Sequence, residues 1–229
     1  MKTMIMISVM ALGLWAIGLV ASPSAMAVSL NFDMFAPTPG SISSAGGGAP
    51  LVGTNIQVDR VVGDSTPANA GIEGICLSCT LNFTTGGLTS SGGGTWNFGS
   101  GGTVTITGGA QLPSAPNIAL GSTLLTGSFN SASVQDLGFQ QFMISFGTFF
   151  DTKHPDLLAY YGLAPGTPFE GAFSLTFNSL NPSPTGAFAS TTIFNGNVVN
   201  TVVPLPAAVL LFGSGLAGLL AARGRRLFT

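Results

Sequence analysis

The chain has 229 residues, of which 45% are hydrophobic and only 6% charged, with a formal net charge of -2 and a mean hydropathy of +0.53. Ordinary soluble domains carry about 25% charged residues, so the composition argues against a plain cytosolic enzyme, and the hydropathy argues against charge-driven disorder. Residues 28–203 hold two bases, Arg60 and Lys153, against eight acids, which leaves no basic stripe for phosphates and excludes nucleic acid as a partner.

At the N-terminus, Lys2 precedes an uncharged apolar run from Met4 to Ala21, then the helix-breaking Ser22-Pro23 and the small-x-small sequence Ala25-Met26-Ala27. This order predicts a helical secretory signal peptide over residues 1–27, cut by signal peptidase after Ala27 to leave Val28 first.

Residues 28–203 contain 27 glycines in 176 positions and almost no helical periodicity, which predicts an all-β body. Strands are predicted over Asn55 to Val62, Ile75 to Thr84, Thr95 to Phe98, Thr103 to Thr107, Leu124 to Phe129, Phe142 to Phe146, Phe173 to Phe177, Phe188 to Phe194 and Val198 to Val203. In Thr103-Val104-Thr105-Ile106-Thr107 the period of two sets Val and Ile on one face and three threonines on the other. Short one-faced strands separated by Gly, Pro and Asn point to a β-sandwich of jelly-roll or immunoglobulin-like type. Residues 36–50 read as an exposed loop. Residues 84–110 hold ten glycines with Trp96, Phe98, Val104 and Ile106 alternating between them, the pattern of hairpins whose turns need positive φ. One short helix is predicted, opened by Pro155 and stopped by Gly162.

Cys76 and Cys79 are the only cysteines. An oxidising compartment makes a disulfide their default state, with thioredoxin-type redox chemistry as the alternative. Residues three apart in an extended strand lie about 10 Å apart, beyond the ~7 Å that a bridge allows, so pairing requires a turn or bulge at Leu77-Ser78. His154 is the single histidine, which excludes a metal site of several imidazoles. A Ser-His-Asp set would take Asp151 or Asp156 as orienter, but no G-x-S-x-G elbow selects a serine, and His154 reads as a surface residue. Glu73 and Glu170 are the only glutamates and the candidates for a facing glycosidase pair. Asp59 with Asp64, and Asp151 with Asp156, are loose calcium candidates that match neither an EF-hand nor a nonapeptide repeat. Phe139, Phe142, Phe146, Phe149, Phe150, Tyr160 and Tyr161 invite a sugar-stacking role, but alternation assigns most of them to a core, with Phe149 or Phe150 turned outward. No catalytic set, metal or cofactor is expected.

The C-terminal stretch reads Val203-Pro204-Leu205-Pro206-Ala207, then an uncharged run to Ala222, then Arg223, Arg225 and Arg226 around Gly224. Ala207 to Ala222 would form about 24 Å of helix, a short transmembrane span whose basic end stays in the cytoplasm and leaves the body outside. Together, the Pro-x-Pro motif, Leu211-Phe212-Gly213-Ser214-Gly215-Leu216 and the basic tail resemble the sorting signal of PEP-CTERM proteins, in the VPLPA variant with Leu205 where the usual motif has Glu. The resemblance covers residues 204–229 and the preceding valine. It implies a Gram-negative bacterium that makes exopolysaccharide, and an exosortase-type membrane protease as processing partner. The resulting expectation is an exported, non-enzymatic protein, held transiently in the inner membrane and then placed at the cell surface or outside the cell. Its role there would be structural or binding in the polysaccharide layer, with polysaccharide as the candidate ligand. A surface polysaccharide hydrolase and an exported redox domain using Cys76 and Cys79 are the alternatives.

Overall fold

The computed structural model describes residues 27–203 apart from Asn181. The signal segment, the tail from Pro204 through Leu205, Pro206 and Ala207 to the arginines Arg223, Arg225 and Arg226, and the transmembrane helix expected between them lie outside the described residues. No helix among the described residues is long and apolar enough to cross a membrane.

The all-β class is as expected. Twelve strands follow one another as β1 (Ser29–Met34), β2 (Ser41–Ser44), β3 (Leu51–Asp64), β4 (Glu73–Thr84), β5 (Leu88–Gly92), β6 (Thr95–Phe98), β7 (Gly102–Gln111), β8 (Ile118–Phe129), β9 (Ala132–Gly138), β10 (Gln141–Lys153), β11 (Phe169–Ser179) and β12 (Phe188–Val202). The predicted helix is α1 (Pro155–Tyr160). The stretch expected to be a loop at 36–50 carries β2, which pairs with both β3 and β12. The two strands expected near the C-terminus are one strand, β12, bent by irregular register against β11.

The sandwich expectation gives way to a barrel. Antiparallel pairs β3–β4, β4–β7, β7–β8, β8–β10, β10–β11, β11–β12, β12–β1 and β1–β3 close a ring of eight strands taken in chain order. Local alternation buries one face of each strand in a sandwich and in a barrel alike, so sequence periodicity does not separate the two. What separates them is the pairing of the first strand with the last, Ser29 opposite Thr201.

The remaining strands are inserted at two seams. Between β12 and β3, β1 fills one end of the barrel and β2 the other. Along β10, residues Phe149 to Lys153 pair with β8 whereas Gln141 to Phe146 pair with β9, and β6 and β5 extend that flare outward. The β5–β6 hairpin turns on Gly93 and Gly94, both at positive φ, as the glycine spacing predicts.

Eight strands make a barrel just wide enough to be filled by side chains. Phe129, Phe146 and Phe173 pack at the centre, with ring centroids 4.5 Å apart for Phe129–Phe146 and for Phe146–Phe173. Toward the flared end Trp96 stacks on Phe142 at 5.6 Å. Val104 and Ile106 are buried while Thr103, Thr105 and Thr107 point outward, the reverse of the apolar-out wall of a membrane barrel.

The opposite end is capped by α1. His154 accepts the Asp156 amide at its N-terminus and Pro155 follows, while Leu157 and Leu158 are buried beneath. The Tyr161 hydroxyl donates to the carbonyls of Val61 (3.1 Å) and Ile72 (2.9 Å), which ties the cap to β3, and burial pushes its phenol pKa up. Both ends of the described stretch lie here, with the Val202 amide 2.8 Å from the Val28 carbonyl.

Candidate functional site

Cys76 and Cys79 lie at disulfide distance, with Cα atoms 5.4 Å apart. The required irregularity is present: Ser78 has φ +52°, and the register of β4 shifts between Leu77 and Thr80 against β7 and opposite Val58 to Arg60 on β3. Gly108 accommodates the bulge, since a Cβ there would sit 2.6 Å from Cys79 Cα. In the chain-entropy description so short a loop contributes about 2 kcal/mol or less. Replacing both cysteines by serine should therefore lower stability by no more than that in urea unfolding, with an unchanged far-UV spectrum.

The structure does not assemble the carboxylate sets considered from sequence. Glu73 and Glu170 are both exposed on the outer wall and are separated by β3, β1 and β12, halfway round the ring, so they do not face each other. His154 Nδ1 receives the Asp156 amide at 3.3 Å and stands 3.8 Å from the Asp156 carboxylate, while Asp151 points into the barrel. Neither acid orients the imidazole as a triad would. Asp59 accepts the Phe35 amide and the Gln57 side chain, and Asp64 accepts the Asn31 side chain. No group of three His, Cys, Asp or Glu that could hold a metal ion occurs among the described residues. Of the aromatic run, Phe142, Phe146 and Phe149 are core, Tyr160 and Tyr161 belong to the cap, and Phe150 is the residue turned outward. Phe139 is fully exposed at the tip of the β9–β10 hairpin.

Two constellations were not foreseen. Inside the barrel above α1, the side chains of Asp151 and Lys153 are fully buried and paired with each other, and Lys153 Nζ lies 3.6 Å from the centroid of the Phe169 ring. Burial lowers the Lys153 pKa to about 8 and raises that of Asp151, against the attraction between them. Asp151 Oδ2 and, on β12, Asn200 Oδ1 are buried without a hydrogen-bond partner among the described residues.

The second is a cleft of about 710 Å³ on the outer wall where β1 ends. Its side is formed by Asp33, Phe35 and Arg60, and its floor by Ser174 and Thr176 of β11 with Asn195 to Asn197 of β12. The cleft exists because β12 is irregular there: Gly196 pairs with Leu175 but Ile193 with Phe177, leaving Phe194 and Asn195 outside the ladder. Gly196 is required, as a Cβ would fall 2.5 Å from Leu175 Cδ1 and 2.7 Å from the Ser174 carbonyl.

Arg60 donates to Asp33 at 2.8 Å, contacts Glu73, and sits 4.8 Å from the centroid of the Phe35 ring. The hydrogen bond to Asp33, then the charges of Asp33 and Glu73, hold the guanidinium pKa above its ordinary value. Arg60 was visible in the sequence only as one of two bases in the body. A cleft could be suspected there only from Asn195-Gly196-Asn197, a turn-like sequence inside a strand.

Comparison with protein-family models, with characterised proteins and with solved structures finds no match.

Proposed function

We propose that the chain is an exported, non-enzymatic surface protein whose barrel acts as a binding or structural module in an extracellular polysaccharide layer. Residues 1–27 would direct export as a cleaved signal helix. Residues 204–229 would hold the barrel transiently to the inner membrane through a transmembrane helix, until an exosortase-type protease acts on the motif from Val203 to Ala207. The observation that supports this reading is the placement of Val28 and Val203 together at one end of the barrel, beside Pro168, so that the flared end and its hairpins extend away from the tether. The outer wall, rich in Thr, Ser and Asn, suits a hydrated polymer layer better than a lipid or nucleic-acid partner.

Cell fractionation of a chain tagged within the body, with both termini mapped by mass spectrometry, tests the reading. Val28 should be the mature N-terminus, and deletion of residues 204–229 should move a folded barrel from the membrane fraction to the medium or periplasm. An intact residue 1–27 segment on the mature protein, or a cytoplasmic barrel, would sink it.

A further inference from the structure

We infer that the cleft between β1, β11 and β12 binds an uncharged saccharide chain, with Phe35 as the platform for a sugar ring and Asn195, Asn197 and Asp33 as partners for its hydroxyls. The inference rests on the surface-binding reading above and names the ligand class for it. Its size lies within the range of small-ligand clefts, about 300–1,000 Å³.

The chemistry of the walls decides between ligand classes. An anionic ligand would need a free cation, but Arg60 is already engaged by Asp33 and Glu73. A divalent cation would need free carboxylates, but Asp33 holds Arg60, and neighbouring Asp59 holds the Phe35 amide and Gln57. A peptide adding as an extra strand would need an open sheet edge. Here β1 is paired on both sides, by β3 and β12, and β12 is paired on both sides, by β1 and β11, from Gly196 to Thr201, so the unpaired stretch at Phe194 and Asn195 is too short to seat an added strand.

What the cleft offers instead is a set of short, neutral or internally neutralised polar groups: two asparagine amides and the hydroxyls of Ser174 and Thr176, which both donate and accept, and the Asp33 carboxylate, which accepts. Beside them stands Phe35, half of whose surface is exposed and whose ring is held by the Arg60 guanidinium. A pyranose presents the complementary surface, hydroxyls at its rim and C–H groups on its face. The Ser174 hydroxyl donates to Asn197 Oδ1 at 3.2 Å, which occupies the oxygen of that amide and leaves its NH₂ group to serve as a donor.

The test is affinity electrophoresis of the full chain, purified in detergent micelles, through native gels containing dextran, galactomannan or xylan, with alginate as the anionic control. Retardation is expected with at least one neutral polymer and not with alginate alone. Phe35→Ala and, independently, Asn195→Ala should each weaken that retardation about tenfold, the loss of about 1.4 kcal/mol of contact. The near-UV spectrum should be unchanged, because neither side chain is buried in the barrel. Absence of retardation by all three neutral polymers, retardation by alginate only, or equal retardation of wild type and both variants would each overturn the inference. Fractionation reads the export proposal separately: a chain that binds a neutral polymer but remains cytoplasmic keeps the site and loses the location, and an exported chain that binds none does the opposite.

Discussion

Lys153→Met should destabilise the barrel by about 3–5 kcal/mol at neutral pH, whereas Asp151→Leu combined with Lys153→Met should be close to neutral or stabilising. Both side chains are fully buried, so the single variant leaves the Asp151 carboxylate, among the described residues, with no cation and with Oδ2 still unpartnered. The double variant removes both charges and their desolvation together. The pH dependence separates this account from a simple packing defect. In the wild type the folded state releases the Lys153 proton at about 8 whereas an unfolded lysine holds it to 10.5. Between those values the unfolded chain binds more protons, and stability rises with pH. Asp151 is raised above 3.8, so above that value the folded state holds a proton the unfolded chain has released, and stability falls as pH rises through its folded pKa. In Lys153→Met the carboxyl loses the charge that opposed this shift, so the defect should shrink as the pH is lowered toward 4. Urea unfolding of the three proteins across pH 4–10 measures it. A defect in the single variant that does not change with pH would remove the ion pair from the explanation.

This pair shows where sequence reasoning stops. In β10 the inward positions are Phe142, Ile144 and Phe146, then Phe149, Asp151 and Lys153. The parity changes because the register slips between Phe146 and Phe149, where the Gly147 amide bonds the Ser131 carbonyl. An unbroken period of two would have put Phe150 and Thr152 inside and the two charges in solvent. One extra residue reverses the face of everything after it. The strands with clear alternation, such as Thr103 to Thr107, were legible for the opposite reason, because no irregularity interrupts them. Four strands were not read, β1, β2, β5 and β9; the last three carry few apolar residues, and their pairing comes from neighbours rather than from their own pattern. β1 did alternate, with Leu30, Phe32 and Met34 inward, yet its closure onto β12 joins residues about 170 positions apart, which no local signal records. The cleft inherits that difficulty, since Phe35 and Asn195 meet only once the ring is closed.

Glycine was read from sequence as turn chemistry, and at Gly93-Gly94 that is its role. In the barrel wall it has another. Gly53 pairs with Phe83, Gly102 with Phe129 and Gly171 with Phe149, each a glycine directly opposite a phenylalanine on the next strand. In every case the ring folds over the bare backbone: an added Cβ would meet ring carbons at 2.1 Å for Gly53, 2.0 Å for Gly102 and 2.3 Å for Gly171. The missing side chain thus sets the rotamer of a core aromatic, and Phe129 tilted this way reaches the Phe146 ring at the centre of the barrel. Gly102→Ala should cost about 1–3 kcal/mol, because the ring must move in a filled interior. Phe129→Ala should cost about 3–5 kcal/mol through the cavity it leaves. The two penalties should not add. With the ring gone the alanine methyl has nothing to strike, so the double variant should be less destabilised than the sum by about 1–3 kcal/mol. A double-mutant cycle in urea reads this coupling directly. Additive losses would mean that the Gly102 penalty comes from backbone conformation, and that the glycines of the wall do not position the core.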